Sequence, residues 1–226
     1  MFTLNNYSTV SGARAIHLQC SGAVAPYTRR ANIHPASSST MLTTSPLLID
    51  AQRSALLVID LQEKLMPHIA DGAAVLDAAC WLVDVAREVG VPVMVSEQYP
   101  QGLGHSVAAL AQRVASDEVA TKVHFSCLGG SCLEPLAGFD RAQFVVAGTE
   151  AHVCVLQSVL DLQASGRQVF VVAEAVGSRR SSDRQLGLER MRQAGAVIVS
   201  REMVAFEWLR QAGTEVFRRV SKTFIR

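Results

Sequence analysis

The chain has 226 residues, of which 49% are hydrophobic, 18% are charged and 6% are aromatic. This composition is typical of a folded globular protein and excludes a largely disordered chain. Its 21 Lys and Arg nearly balance its 20 Asp and Glu, so no broad electrostatic field attracts nucleic acid or an anionic membrane. Its apolar runs also fall well short of the ~20 residues that span a bilayer. We therefore expect a soluble protein that binds small molecules, with no nucleic-acid or membrane partner.

The first part of the chain differs in composition from the rest. Up to residue 49 it contains no Asp or Glu, three Arg and thirteen Ser or Thr. Such a stretch is typical of an organellar transit peptide, and it lacks the apolar core of a secretory signal. The alternative is an extension without function, upstream of a start at Met41. We predict a disordered or targeting-like extension over residues 1–47 and a domain over residues 48–226. The predicted location is cytoplasmic, or mitochondrial or otherwise organellar if the extension is a transit peptide.

The cysteines and glycines give no sign of a metal or a cofactor. The five cysteines are an odd set without a Cys-x-x-Cys pair, as in chains kept reduced: Cys20, Cys80, Cys127, Cys132 and Cys154. Cys127 and Cys132 have no His at ligand spacing, which argues against a zinc site. Gly102 and Gly104 lack the third glycine of a dinucleotide-binding loop, because position 107 is Val. We therefore predict no metal and no cofactor.

From Ala55 onward, short β-branched runs alternate with helical patterns, which is typical of βαβ units around a parallel sheet. The predicted fold class is therefore α/β, with six strands buried on both faces. The strands are predicted at 55–60, 91–96, 119–125, 143–148, 168–173 and 196–200. The helices are predicted at 73–89, 106–115, 153–165, 182–194 and 202–211, with a weaker one in the tail 215–226.

Ligands of such sheets bind beyond the carboxyl ends of the strands, which is where one cysteine falls. Cys154 begins the helix after strand 143–148, where free amides and the helix dipole favour an anion and lower a thiol's pKa. It also lies outside the apolar stripes of that helix. These features are compatible with a nucleophile, but this position taken alone favours the buried and inert cysteine that is the common case. Cys80, in contrast, lies on an entirely apolar stripe and is predicted to be inert.

Two charged residues at other strand ends are candidate partners of this thiol. Asp60 ends the first strand and could accept a proton from Cys154, although an Asp there could equally be a helix N-cap. Lys122 stands in an otherwise apolar strand and could hold a thiolate or carboxylate in place. A solvated lysine on an edge strand is its alternative.

Further side chains near the strand ends are expected to face the same cleft. The candidates for substrate binding are Glu97, Tyr99, Phe125, His152 and Arg179. Arg179 could bind a substrate carboxylate as a fork, with a salt bridge between loops as the alternative. His152 and His124 are also candidates for a Cys-His pair.

The ordered set Asp60, Lys122 and Cys154 resembles the triad of the isochorismatase-like cysteine hydrolases. The resemblance covers residues 50–210 and includes the segments Leu-Leu-Val-Ile-Asp-Leu-Gln, Ser-Glu-Gln-Tyr-Pro, Lys-Val-His-Phe-Ser and Ala-Gly-Thr-Glu-Ala-His-Val-Cys-Val. The Glu-Gln-Tyr-Pro and Glu-Arg-Met-Arg-Gln-Ala-Gly segments resemble the isochorismatase domain-containing branch in particular. The resemblance implies a Rossmann-like three-layer α/β/α sandwich with a six-stranded parallel sheet, in a homo-oligomer.

The resemblance also implies a mechanism. Cys154 would be the nucleophile, Asp60 the general base and Lys122 the group that tunes both, in the hydrolysis of a small amide-like or ester-like C–N or C–O bond. A cis peptide between Thr149 and Glu150 would direct the amides of Glu150 and Cys154 at the oxyanion.

Some family features are missing from the chain. The Asp-x-His metal cluster of nicotinamidases is replaced by Tyr-Pro-Gln-Gly-Leu-Gly-His, and Ala151 stands where relatives often have Thr. Nothing identifies the pocket for the vinyl ether that isochorismatase itself cleaves. Two other functions remain as alternatives: a catalytically idle binding or assembly subunit, and a thiol redox sensor that pairs Cys154 with Cys127 or Cys132.

Overall fold

A computed structural model of the protein describes residues 45–225. The extension predicted for residues 1–47 therefore lies, apart from its last three positions, outside the described residues. None of the helices between residues 45 and 225 is both long and apolar enough to cross a membrane.

The centre of the fold is a six-stranded sheet in which every strand is parallel to its neighbours. The spatial order is β3-β2-β1-β4-β5-β6. The strands are β1 (Ser54–Ile59), β2 (Val93–Gln98), β3 (Val119–Lys122), β4 (Gln143–Thr149), β5 (Gln168–Gly177) and β6 (Val197–Val199). β1, β2 and β4 are buried along their whole length, as expected of apolar strands covered on both faces.

Helices cover both faces of this sheet, which confirms the predicted three-layer α/β/α sandwich. They are α1 (Gly72–Val89), α2 (Pro100–Leu103), α3 (Ala108–Ala111), α4 (Leu156–Ala164), α5 (Ser181–Gln193), α6 (Arg201–Leu209) and α7 (Glu215–Phe224). α1, α6 and α7 pack on one face in one apolar cluster, and α4 and α5 contribute to the cluster on the other face.

Two predicted elements are shorter in the structure. β3 ends at Lys122 rather than at residue 125, because its neighbour β2 ends at Gln98 and offers no further pairing. The helix predicted over residues 106–115 is reduced to α3. The residues before it are held in contacts with other elements: the amide and hydroxyl of Ser106 both donate hydrogen bonds to the Glu97 carboxylate, and the amide of Val107 donates to the carbonyl of Leu61 (2.9 Å).

Two other elements are longer than predicted. β5 continues to Gly177 instead of ending at residue 173, with a register shift against β4 between Val146 and Gly148. The helix predicted from residue 153 begins earlier, with a π-helical turn over Ala151–Val155 that runs directly into α4. π-helical turns of this kind are frequent at functional sites.

The sheet changes its direction of winding at β1, which pairs with β2 on one side and β4 on the other. The two strands approach closely where both end. Gly148 lies at φ +118°, and a Cβ there would lie 2.0 Å from the Ile59 carbonyl oxygen. Only glycine is compatible with this approach.

We predict that Gly148→Ala destabilises the protein by about 3 kcal/mol or more, because a side chain adds a backbone clash to an unfavourable φ. Gly166→Ala is the matched control, since Gly166 also has a positive φ but has open space around it. The control should cost about 1–2 kcal/mol. Chemical denaturation measures both variants, and equal losses would contradict the close approach of β1 and β4.

Candidate active site

Asp60 lies directly after β1, at the edge of the sheet where the winding changes. Its amide donates to the carbonyl of Ser96 (3.0 Å), and its own carbonyl accepts from the Thr149 hydroxyl (2.7 Å). These bonds tie the ends of β1, β2 and β4 together around one residue. The next helical turn begins only at Met66, so the alternative role of Asp60 as a helix N-cap is wrong.

The Asp60 carboxylate is fully buried and accepts hydrogen bonds on both oxygens. Oδ1 accepts from the hydroxyl of Ser96 (2.7 Å), and Oδ2 accepts from Nζ of Lys122 (2.8 Å). The thiol of Cys154 lies beside this carboxylate, close enough for each group to shift the pKa of the other. The structure thus brings the side chains of Asp60, Lys122 and Cys154 together, as predicted from their places at three strand ends.

Lys122 has a fully buried side chain, so its alternative as a solvated lysine is wrong. Its ammonium donates to Asp60, to Oε1 of Gln98 (2.7 Å) and to the carbonyl of Phe125 (3.1 Å). An ammonium has three N–H donors, and all three are used here. Lys122 can therefore stabilise charge in this site, but it has no donor left for a substrate.

Cys154 lies in the π-helical turn and is 6% exposed, within the apolar cluster that also holds Val155 and Val159. The prediction that Cys154 lies away from apolar side chains is wrong. The apolar stripes were identified along one helix only, and they do not show the apolar side chains of the sheet and loops that share its cluster. Burial raises the pKa of this thiol, and the Asp60 carboxylate raises it further, while Lys122 opposes the shift. The expectation that the pKa of Cys154 is lowered is therefore also wrong, because the helix N-terminus does not compensate for the burial of the thiol.

The other two members of the group are affected in different ways. Burial raises the pKa of Asp60, and the Lys122 ammonium offsets part of the rise. Burial by itself would lower the pKa of Lys122, but the negative charge of the Asp60 carboxylate, which also accepts a hydrogen bond from the ammonium, raises it overall. Lys122 thus stays protonated at neutral pH. A carboxyl with a raised pKa is better matched to proton transfer near pH 7 than an ordinary Asp.

A loop after β3 covers the group and is bonded to α4. The amide of Cys127 donates to the Ser158 hydroxyl (2.9 Å), which in turn donates to the carbonyl of Cys154 (2.7 Å). The thiol of Cys127 also donates to the Ser96 hydroxyl (3.4 Å), and burial raises the pKa of Cys127 to about 11. Ser96, Gln98 and Ser158 were not among the residues predicted for the site. Ser96 and Gln98 could have been found, because both end a strand next to that of Asp60.

An open cleft of about 280 Å³ lies over the ends of β2 and β3. Its lining includes Tyr99, Lys122, His124 and Cys132, which places Tyr99 where a substrate-binding residue was predicted. Phe125 lies on the adjoining loop and is, like Tyr99, 53% exposed. The cleft lining therefore includes the aromatic ring of Tyr99, while Phe125 lies outside that lining.

On the β5 side of the site, Glu150 and Arg179 form an ion pair. The amide of Arg179 donates to Oε2 of Glu150 (3.0 Å), and its Nε lies 3.0 and 3.1 Å from the two carboxylate oxygens. The two terminal nitrogens of the guanidinium remain outside this contact. Nδ1 of His152 lies 3.0 Å from the Ser178 hydroxyl, so His152 is oriented by Ser178. The peptide bond between Thr149 and Glu150 is cis.

Glu97 is not brought into the group, although it was predicted to face the cleft. Its carboxylate contacts Ser106 and, at 2.9 Å, Nδ1 of His105. Side chains alternate between the two faces of a strand, so the placement of Ser96 and Gln98 beside Asp60 and Lys122 directs Glu97 to the other face. Glu97 therefore supports the loop after β2 rather than the site around Cys154.

Neither a metal-binding cluster nor a disulfide is present in the described part of the chain. Residues 45–225 contain no cluster of His, Cys, Asp and Glu that could hold a metal ion. The four cysteines in this range are free thiols.

Comparison with known proteins identifies the family. The Isochorismatase domain model matches residues 54–203. Isochorismatase domain-containing protein 2A of Mus musculus is 37% identical over 76% of this chain and 82% of that protein. Isochorismatase family protein 1B of Dictyostelium discoideum is 34% identical over 75% of this chain and 84% of that protein. The chain therefore belongs to the isochorismatase family.

Solved structures share the fold. The MAR1 ribonuclease of Caenorhabditis elegans has a TM-score of 0.72 and 34% identity, and the match covers 79% of this chain and 93% of that one. YcaC of Escherichia coli, described as an octameric hydrolase of unknown specificity, has a TM-score of 0.68 at 23% identity, over 75% of this chain and 85% of that one. At 23% identity, the likeness to YcaC shows only that the fold is shared.

We predict that the alkylation rate of Cys154 rises about tenfold per pH unit from pH 8 to pH 10, because the fraction of thiolate keeps increasing when the pKa is raised. Iodoacetamide labelling with peptide mass spectrometry measures the rate. Free glutathione is the reference and should level off near the ordinary thiol pKa. A rate for Cys154 that levels off below pH 9 would contradict the raised pKa.

Proposed function

We propose that the protein is a hydrolase in which Cys154 is the nucleophile, Asp60 the general base and Lys122 the cation that holds Asp60. The observation that carries the proposal is the Asp60 carboxylate, which accepts a hydrogen bond from the Lys122 ammonium and interacts with the Cys154 thiol beside it. A nucleophile, its base and a third group that orients the base form the arrangement that activates weak nucleophiles.

The raised thiol pKa requires that the proton leave during the attack and not before it. As the sulfur forms a bond to a carbonyl-like carbon, the thiol proton moves to Asp60, and Asp60 then protonates the departing amine or alcohol. This leaves a thioester-type intermediate. Asp60 next takes a proton from a water molecule that attacks the thioester, and the thiol leaves with a proton. No metal is needed in this sequence.

Two backbone amides and the sides of the cleft would bind the substrate. The amides of Glu150 and Cys154, at the start of the π-helical turn, would stabilise the oxyanion. The free end of the Arg179 guanidinium suits a substrate carboxylate, and the Glu150 contact would hold it there. Tyr99 and Phe125, with His152, would contact the rest of a small amide or ester.

We predict that Cys154→Ala and Asp60→Asn each lower turnover by about 10³-fold or more, because each removes a group that the whole sequence requires. Cys80→Ala is the control: it removes another buried thiol, in α1 on the opposite face of the sheet, and its activity should stay within about threefold of the native value. Thermal unfolding of each variant checks that it is folded.

The substrate has to be found by a screen of the purified protein. The panel contains small amides, ureides, esters and vinyl ethers, together with short RNA, because the C. elegans relative is named a ribonuclease. Native-like turnover by Cys154→Ala would contradict the proposal. A folded native protein that turns over nothing in the panel but binds a compound from it would favour the idle binding subunit.

We also propose that the protein is a homo-oligomer, which light scattering tests.

A further inference from the structure

We propose that Gln98 is a positioning residue that holds the Lys122 ammonium against Asp60 and Cys154, and that Gln62 fixes Gln98 for this purpose. The proposal rests on the proposed function, because it concerns the group that would activate the thiol. It assigns a role to two uncharged side chains that the triad does not include.

The side chain of Gln98 is placed so that both ends of its amide are used. Oε1 accepts from the Lys122 ammonium (2.7 Å), and Nε2 donates to the carbonyl of Val123 (2.8 Å). If the amide were flipped, its NH₂ group would face the ammonium and its oxygen would face a carbonyl. The partners therefore allow one orientation, in which an oxygen faces Lys122. Gln98 is 8% exposed, so water is a poor substitute for that oxygen.

Gln62 grips the backbone of Gln98 from the neighbouring loop. Its Oε1 accepts from the amide of Gln98 (2.7 Å), and its Nε2 donates to the carbonyl of Gln98 (3.0 Å) and to that of Gly104 (2.7 Å). Gln62 is fully buried and lies two residues after Asp60. The loop that carries the base therefore also fixes the end of β2, where the partner of Lys122 is anchored.

Gln98 affects the chemistry because all three N–H donors of Lys122 are in use. They are shared among Asp60, Gln98 and Phe125, and the lysine side chain is fully buried. Without Gln98, one buried N–H loses its acceptor, which favours movement of the ammonium away from this position. Because the charge of Lys122 stabilises the anionic forms of Asp60 and Cys154, its movement would make the thiol harder to ionise.

The test uses the alkylation of Cys154, which needs no substrate. Gln98→Leu and Gln98→Met remove the acceptor at similar volume. Iodoacetamide labelling from pH 7 to pH 9 should be about 3- to 10-fold slower at Cys154 in these variants, as expected of a pKa raised by roughly 0.5–1 unit. Labelling of Cys80 in the same molecule should not change. A Cys154 rate within twofold of native in the folded variants would overturn the proposal.

Two controls separate positioning from a general loss of stability. Gln143 is a fully buried glutamine at the opposite end of the sheet, where it bonds Asp50 and Leu48; Gln143→Leu should leave Cys154 labelling unchanged. In a Lys122→Met background, Gln98→Met should have no further effect, because Gln98 acts through Lys122. If Gln98→Met slowed Cys154 labelling in the Lys122→Met background as much as it does in the native background, the proposal would be overturned. If Cys154→Ala retained hydrolysis, the proposed function would fail while these labelling results still stood.

Discussion

The site depends on one buried ion pair, the carboxylate of Asp60 and the ammonium of Lys122, 2.8 Å apart with both side chains fully buried. Burial of a single ion costs several kcal/mol, and this cost is offset only when the ion is paired and its remaining hydrogen-bonding capacity is satisfied. Both conditions are met, by Ser96 for the carboxylate and by Gln98 and the Phe125 carbonyl for the ammonium. A buried pair of this kind contributes little to the free energy of unfolding, but it constrains the positions of both side chains.

The sheet supplies this constraint by its topology. Because β1 lies between β2 and β4, residues at the ends of three strands meet around Asp60, and Cys154 reaches it from the turn that follows β4. The close approach at Gly148 brings the ends of β1 and β4 together. The thiol therefore meets a base that is already ordered, within an apolar surrounding that strengthens every charge interaction in it.

Much of the fold could be predicted, because short continuous apolar runs identify strands covered on both faces. Asp60, Lys122 and Cys154 could be predicted for the same reason, since each stands at the end of such a run. Glu97 was misplaced because it was judged by its nearness to a strand end, whereas the alternation of side chains along β2 decides the face. Burial of Cys154 was one of two alternatives, but its surroundings could not be predicted, because Ala120, Cys127 and Leu133 of the same apolar cluster are distant in the chain.

The central claim is that the sulfur of Cys154 keeps its proton at rest and gives it to Asp60 only during attack. Infrared difference spectroscopy of the native protein against Cys154→Ala at neutral pH tests this most directly, because a thiol has an S–H stretching band and a thiolate has none. The account predicts an S–H band from Cys154 that persists to pH 9. The absence of that band at neutral pH, together with the ultraviolet absorbance of a thiolate, would contradict the account.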